Sequence, residues 1–279
     1  MNRAVKVFSL LKKRGEGALI PYVPVYPDIN KTMKVVEAYI AGGADMIEIS
    51  VPSARPWIDG PTLQRYHKEA LMKNVTLVNS LKVAELVTKE HPEIPIWLIF
   101  YLTEALSYDP EELAEMCSNA GIDIVDAPNY PIDDPFGLSK ALEKREIYMI
   151  IPIDLSTATA KKGDPQYKVL YNILRAARGA IFLMLAAGGL AGIKKEFPAD
   201  KARNATNNLR RILSELNKDL PIIGVTGISN ETHVRRAIKD VGLDGVMMGS
   251  AFVKKIQEGA SMDELKEFTR LIKQATISP

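Results

Sequence analysis

Cysteine and histidine are scarce in this 279-residue chain, which contains one Cys and three His. The lone Cys117 cannot form an internal disulfide, and it does not cluster with His67, His91 or His233 at the spacing of a metal site. We therefore expect a protein of a reducing compartment, the cytoplasm, that works without a metal ion or a cofactor.

Neither sign of charge is in excess, since 36 basic residues stand against 34 acidic ones and the formal net charge is +2. Such a balance creates no strong field, so we expect neither a nucleic acid nor an anionic membrane as a partner. Long apolar runs are missing as well, and none is long enough to cross a bilayer. The first 20 residues lack the cleavage pattern of a signal peptide, and we predict that they form an amphipathic helix.

What the sequence does contain is a repeated alternation of short apolar strands and helical segments. Strands are predicted at residues 18–25, 46–51, 94–101, 122–127, 148–153, 180–186, 221–225 and 245–248. Helices are predicted at residues 31–41, 71–89, from 110 onward, 135–144, 165–175 and 202–217, with one more after each of the last two strands. This order, without a linker, predicts an α/β protein with a single (β/α)₈ TIM barrel domain over residues 1–279, whose bottom is covered by the N-terminal helix. An open doubly wound sheet is the weaker alternative, because no G-x-G-x-x-G motif follows the first strand.

The stretch that organises the chain reads ADMIEISVPSARPWIDGP, at residues 44–61. Side chains alternate along a strand, so Glu48 shares a face with Met46 and Ser50 and points inward if the sheet closes. Burial raises the pKa of such a carboxyl group, which suits proton transfer, although a structural ion pair would also explain its presence. Asp59 follows at the carboxyl end of the strand, where barrel enzymes build their sites, although Asp-Gly by itself is an ordinary turn signal.

Glycine-rich loops follow the last three predicted strands. Gly227 comes after the seventh strand, Gly249 and Ser250 come after the eighth, and the segment 188–192, GGLAG, follows the sixth. In barrels, the loops after strands seven and eight often bind phosphate through backbone N–H groups at the start of a short helix. We therefore predict a phosphate site at these loops, with ordinary turns as the alternative. Segment 188–192 is a lid, a part of the same site or a plain flexible loop.

These motifs resemble those of the tryptophan synthase alpha subunit family: IPYV, EISVP with DGP, IPIWLIFY, GISN and GSAFVKKI occur in that order over about residues 19–256. The resemblance implies a barrel that cleaves indole-3-glycerol phosphate to indole and glyceraldehyde 3-phosphate, then passes indole to a tryptophan synthase beta subunit. It implies that Glu48 and Asp59 are the catalytic residues. The substrate-binding residues that it implies are Tyr22, Ile99, Tyr101, Gly192, Gly227, Gly249 and Ser250.

The chain departs from the family pattern in its loops. Residues 53–55 read Ser-Ala-Arg where Phe-Ser-Asp is usual, and Asn129 replaces an Asp. Ala187 and Ala191 replace an Arg and a Thr, and in the family the Thr hydroxyl orders the closed loop around the catalytic Asp. We therefore expect low activity of the isolated chain and weak or altered coupling to a beta subunit, with the fold and the reaction unchanged.

Other functions are compatible with the same sequence. A sugar-phosphate isomerase or a Schiff-base aldolase would share the barrel, but the latter needs a lysine at a strand end, and Lys161 and Lys162 fall in a loop. A non-catalytic regulatory subunit would keep the pocket but would not need both carboxylates. A free-standing lyase would act without a beta partner.

The histidines and the largest aromatic residues receive a structural interpretation. His67, His91 and His233 fall in helical or loop contexts, so we expect them at the surface. Packing, rather than stacking on a ligand, is expected for Tyr66, Trp57 and Trp97.

Overall fold

The structure, a computed structural model, describes residues 2–186 and 197–277. Nine parallel strands form one sheet in the order β5-β4-β3-β2-β1-β9-β8-β7-β6. The strands are β1 Ala18–Val23, β2 Ile47–Ser50, β3 Ile96–Ile99, β4 Ile124–Asp126, β5 Tyr148–Ile150, β6 Ile153–Asp154, β7 Ile181–Met184, β8 Ile222–Val225 and β9 Gly245–Met248.

Strands β5 and β6 are two parts of the predicted fifth strand, divided at Ile151 and Pro152. β5 pairs with β4 and β6 pairs with β7, so this one segment joins the two ends of the sheet. Pro152 has no N–H to donate to a strand ladder, which accounts for the break. The fold is therefore a (β/α)₈ barrel, and the prediction of its class is confirmed.

Helices surround the barrel. They are α1 Arg3–Arg14, α2 Ile29–Ala41, α3 Pro61–Met72, α4 Leu77–Glu90, α5 Leu102–Ala105, α6 Pro110–Asn119, α7 Leu138–Glu143, α8 Leu155–Ala158, α9 Pro165–Ala176, α10 Ala199–Glu215, α11 Glu231–Arg235, α12 Ser250–Gln257 and α13 Met262–Ala275. A π-helical turn, Arg236–Asp240, continues α11. Within residues 2–186 and 197–277, every helix is too short or too polar to span a membrane.

Helix α3 is the most important element that the sequence analysis does not predict. One helix is predicted at residues 71–89, whereas the chain forms α3 and then α4, with Asn74 between them at a left-handed φ of 57°. Pro61 is the first residue of α3, where the missing N–H of proline is not needed for a helical hydrogen bond. The helix therefore starts directly after Gly60, and its buried face lies next to the loop that carries Asp59.

Apolar side chains fill the interior of the barrel. Met46, Trp97, Ile124 and Phe182 belong to one buried cluster there, in which the rings of Trp97 and Phe182 lie 5.9 Å apart. Helix α1 adds Phe8 to this cluster, with its ring 6.4 Å from that of Trp97. The alternation that predicts Met46 and Glu48 on the inner face of β2 therefore agrees with where Met46 packs.

An ion pair attaches α1 to the sheet, and we predict that it contributes strongly to stability. Asp123 accepts hydrogen bonds from Arg3 Nε at 3.1 Å, from the Arg3 backbone N–H at 3.0 Å and from the Ile96 backbone N–H at 2.9 Å. Asp123→Asn leaves a partly buried guanidinium without its charged partner, so we expect a loss of about 2 to 4 kcal/mol in the free energy of unfolding, measured in urea.

The control for that prediction is Asp219→Asn. Asp219 pairs with Lys12 at 2.6 Å, but its side chain is 78% exposed, so its loss should change the free energy of unfolding by less than about 1 kcal/mol. Equal losses in the two variants would contradict a special role for Asp123.

Candidate active site

Glu48 lies on β2, and its neighbours across the sheet are Tyr22 of β1 and Trp97 of β3. It is 3% exposed, and its Oε1 has no hydrogen-bond partner among the described residues. Burial raises the pKa of Glu48 well above its ordinary value, and the negative charges of Asp126 and Asp59 raise it further. Glu48 therefore keeps a proton at pH values where an ordinary glutamate has lost it, which is what a general acid requires.

Asp59 lies in the loop between β2 and α3 and is held by two side chains. The Tyr101 hydroxyl donates to Oδ2 of Asp59 at 2.7 Å, and Nε2 of His67 lies 3.0 Å from the same oxygen. The backbone N–H of Ser53 donates to Nδ1 of His67 at 3.1 Å, which leaves the proton of a neutral ring on Nε2, where it can be donated to Asp59. Burial and the charge of Asp59 raise the pKa of Tyr101 far above its ordinary value, so Tyr101 remains a donor.

Two predictions for ring side chains are wrong. His67, predicted at the surface, is 2% exposed, because α3 begins at Pro61 and turns residue 67 toward the barrel. Its Nε2 also lies 3.4 Å from the Tyr22 hydroxyl, so it links β1 to the Asp59 loop. Trp57, predicted to pack, is 52% exposed, whereas Trp97 is fully buried as predicted.

A third carboxyl group, Asp126 of β4, was not predicted as a site residue. It is 0% exposed, and neither of its carboxylate oxygens has a partner in the described part of the chain. Ile99 of β3 lies between Ser50 and Asp126 in the sheet register, so Asp126 borders a predicted substrate-binding residue. Burial and the charge of Asp59 raise the pKa of Asp126 well above its ordinary value. The signal was available, since the alternation that places Ile124 inside the barrel places Asp126 inside too.

The predicted phosphate residues lie at the carboxyl ends of β8 and β9. Gly249 immediately precedes α12. A Cβ added to Gly249 would lie 3.6 Å from Cβ of Tyr22 on β1, and Tyr22 is the neighbour of Glu48 in the sheet. Helix α12 therefore starts close to β1. Ser250 is the first residue of α12, and its buried Oγ has no partner among the described residues. This helix end has free N–H groups that attract anions.

The loop after β8 has unusual backbone geometry. Gly227 has a φ of 74°, a conformation that favours glycine, and Thr226 before it has a φ of 64°, which is rare for a β-branched residue. The Thr226 hydroxyl accepts a hydrogen bond from the Ala186 backbone N–H at 3.0 Å. Backbone held in such conformations concentrates at ligand sites, which agrees with a binding role for Gly227. Gly192, Ala187 and Ala191 lie outside the described residues, so the predictions made for them stay predictions.

A charge placed at the start of α12 tests the phosphate site. Ser250→Asp is compatible with the helix, because a carboxylate in the first turn suits its dipole, but the added charge repels a bound anion. We expect inorganic phosphate to bind Ser250→Asp at least about 10-fold more weakly than Ser250→Asn, the uncharged control of the same shape, in calorimetric titrations. Equal affinities would place the phosphate elsewhere. Gly249 is a poorer test position, because an added Cβ would lie 3.2 Å from Cδ1 of Leu63.

Buried carboxyl groups near the carboxyl ends of the strands of a (β/α)₈ barrel are typical of the barrel enzymes, whose sites lie at that end. The family profile described as tryptophan synthase alpha chain matches residues 8–277. A tryptophan synthase alpha chain from Escherichia coli is 31% identical, and the alignment covers 100% of each chain. This chain belongs to the tryptophan synthase alpha chain family.

Solved structures agree on the fold. Tryptophan synthase from M. tuberculosis in space group F222 gives a TM-score of 0.85 at 22% identity, with 100% of this chain and 99% of that chain covered. The alpha subunit of tryptophan synthase from Legionella pneumophila gives 0.81 at 21% identity, with 99% and 98% covered.

Proposed function

We propose that this protein cleaves indole-3-glycerol phosphate to indole and glyceraldehyde 3-phosphate, a carbon–carbon lyase reaction of the retro-aldol type in tryptophan biosynthesis. Together with the family assignment, the pair of Glu48 and Asp59 supports this proposal. The buried carboxyl group of Glu48 keeps a proton, and that of Asp59 is oriented by Tyr101 and His67. The reaction uses one group of each kind.

Glu48 is the proposed general acid and base. Cleavage requires a proton at ring carbon C3, which carries the glycerol chain, and removal of the proton from the hydroxyl on the adjacent glycerol carbon. Glu48 donates the first proton and accepts the second, so it ends the turnover in the form in which it began. The electron pair of the broken carbon–carbon bond returns to the ring and restores indole, while the glycerol carbon becomes the aldehyde.

Asp59 is the proposed electrostatic partner. Protonation at C3 places positive charge on the ring, and a carboxylate nearby in a pocket of low dielectric stabilises that charge. Tyr101 and His67 hold its Oδ2 in place before the substrate arrives, so little reorganisation is needed during the reaction.

The proposed contacts to the indole ring and to the phosphate group come from residues on both sides of β2. Tyr22 and Ile99, on the neighbouring strands β1 and β3, with Tyr101, supply apolar walls for the ring. Gly227, Gly249 and Ser250, with the predicted Gly192, bind the phosphate group. The position of Gly249, where an added Cβ would lie 3.6 Å from Cβ of Tyr22, supports this arrangement, because it puts the proposed phosphate end next to the ring pocket.

A tryptophan synthase beta subunit is the proposed partner. Trp57, Leu106 and Phe136 are 52%, 53% and 44% exposed, and they lie in the loops after β2, β3 and β4. These loops leave the same end of three neighbouring strands, so the three apolar side chains belong to one face. Arg55, exposed in the same loop as Trp57, supports an altered choice of partner, because a reversed charge at an interface penalises some contacts and favours others.

The test is indole release from indole-3-glycerol phosphate, with and without a beta subunit. We expect slow but measurable release by the isolated chain, stimulation by the beta subunit of its own organism and little effect of a generic bacterial beta subunit. Release at the stimulated rate without any partner, and no co-elution, would favour a free-standing lyase. No release under any condition would favour the non-catalytic regulatory subunit.

We further propose that the protein acts in the cytoplasm as one (β/α)₈ domain. Cys117 is a free, buried thiol, and burial raises its pKa to about 12, so it is kept as an unreactive core residue. The packing of α1 against the barrel interior supports the single-domain organisation.

A further inference from the structure

A cavity of about 230 Å³ lies between helix α1 and the segments that enter four of the strands. Those segments contribute Glu16 before β1, Gly179 before β7, Leu220 and Pro221 before β8 and Asp244 before β9. They lead into the amino ends of the strands, whereas Asp59 and Gly249 lie in the segments that follow the carboxyl ends of β2 and β9. The cavity is therefore at the opposite end of the barrel from the candidate active site.

One face of α1 supplies an apolar wall and a cation to this cavity. The α1 residues that line it are Val5, Phe8, Ser9 and Lys12, whose spacing of three and four places them on the same side of the helix. The ring of Phe8 is 7% exposed, and Val5 and Leu220 are half-buried, so part of the wall is dry. The cavity is smaller than the roughly 300–1,000 Å³ of pockets for drug-sized ligands, so it suits a metabolite of about the size of one amino acid.

Glu16 and Asp244, two acidic groups of the cavity wall, have charged partners outside it. Glu16 pairs with Lys273 at 3.2 Å, and Asp244 pairs with Arg210 at 3.0 Å. Asp244 also accepts a hydrogen bond from the Ile222 backbone N–H at 2.7 Å. The charges of these two carboxylates are therefore already compensated within the protein.

Lys12 and Asp219, which also line the cavity, pair only with each other. Lys12 Nζ lies 2.6 Å from Asp219 Oδ2, and the two side chains are 64% and 78% exposed. Within residues 2–186 and 197–277, neither has a second charged partner. An exposed pair of this kind contributes little to stability, and the lysine side chain is long and flexible, so a ligand can separate the two charges easily.

We propose that this cavity binds a free α-amino acid with an apolar side chain. The ammonium group of the ligand pairs with Asp219, its carboxylate pairs with Lys12, and its side chain packs on Phe8. Because the wall offers one cation and one anion, a zwitterion leaves neither of them unpaired. A simple amine would leave Lys12 without a partner, and a simple carboxylic acid would leave Asp219 without one, so both are disfavoured.

The test compares L-phenylalanine with three ligands that each lack one part of it. Phenethylamine has no carboxylate, 3-phenylpropionate has no ammonium group, and glycine has no side chain. Titrations of the full chain, followed by the chemical shifts of its backbone amides, should give a Kd of about 1 mM or lower for L-phenylalanine. Each of the other three should bind at least about 10-fold more weakly, because each loses one of the three contacts. The amides that shift should be those of α1 and of residues 219–221.

Three variants test the charged contacts. Asp219→Asn and Lys12→Gln each remove one exposed charge, so both should fold, and each should weaken binding of L-phenylalanine about 10-fold. Lys13→Gln is the matched control, since it removes the same charge from the neighbouring position, which does not line the cavity. It should bind L-phenylalanine as the unaltered protein does.

Thermal unfolding supplies a second measurement. A ligand that binds only the folded state raises the midpoint of unfolding, so L-phenylalanine at about ten times its Kd should raise that midpoint in the unaltered protein and in Lys13→Gln. The rise should be smaller in Asp219→Asn and in Lys12→Gln at the same concentration.

The outcomes that would overturn the proposal are distinct. No binding of L-phenylalanine at about 10 mM, or binding that Asp219→Asn and Lys12→Gln leave unchanged, would reject the site. Phenethylamine that binds as tightly as L-phenylalanine would show a cavity that selects amines, and would reject the assigned ligand class. None of these measurements uses indole release, so their results neither support nor weaken the proposed function.

Discussion

Glu48→Gln is expected to fold normally and to lose turnover by roughly 10²–10⁴-fold or more, the range that removal of a general acid and base produces. Glutamine has the shape of glutamate and fills the same position between Tyr22 and Trp97, but it cannot donate and recover a proton. Indole release measured at saturating substrate checks the prediction, and Glu111→Gln, on an exposed surface carboxylate, is the control. A folded Glu48→Gln protein with near-normal turnover would exclude Glu48 as the proton carrier.

The raised pKa of Glu48 also predicts how stability depends on pH. Because the folded state holds its proton at pH values where the unfolded state has lost it, stability falls as pH rises from the ordinary glutamate pKa toward the raised folded one. Glu48→Gln removes this group from the titration. Its free energy of unfolding should therefore decline less than that of the unaltered protein as the pH rises above the ordinary glutamate pKa.

Asp59→Asn is the second change with a large expected effect. Asparagine keeps an oxygen that accepts from Tyr101 and His67, so the loop should stay in place while the negative charge is lost. We expect kcat to fall roughly 10²–10³-fold with little change in KM, because the charge stabilises the ring only when that ring becomes positive. Steady-state kinetics of indole release give both constants.

Tyr101→Phe is the companion variant for Asp59. It removes one hydrogen bond to Oδ2 but keeps the carboxylate, and His67 still holds it, so the loss in kcat should be about 10-fold or less. If Tyr101→Phe were as damaging as Asp59→Asn, the orientation of Asp59 rather than its charge would be the main contribution.

The sequence predicts the barrel and the inward Glu48 because both depend on local patterns. Short apolar strands alternate with helices along the whole chain, and the period of two in a strand fixes which side of β2 carries Glu48. The fifth strand is predicted as one continuous strand, whereas the structure divides it at Pro152. The part before Pro152 pairs with β4 and the part after it pairs with β7, and this change of partner is not visible in the sequence pattern.

The polar contacts of the site depend on tertiary structure and could not be predicted. Tyr101 donates to Asp59 across the gap between the loops after β3 and β2, and no period in the sequence records that approach. His67 requires the start of α3 at Pro61, where a turn signal and a helix signal overlap. Asp126 is different: it lies within the predicted strand at residues 122–127, so alternation along that strand is enough to predict its inward orientation.

The pairing of β1 with β9 has a consequence for the making of the protein. The first strand meets its second neighbour only after about 230 more residues are synthesised, which takes roughly 10 to 45 s at ordinary translation rates. Until then β1, which is buried along its whole length in the folded barrel, has a free edge toward other chains. The nascent or refolding chain should therefore be most prone to aggregation before β9 joins the sheet, and a truncated chain that ends before Gly245 should bind chaperones or precipitate even though its remaining strands are present.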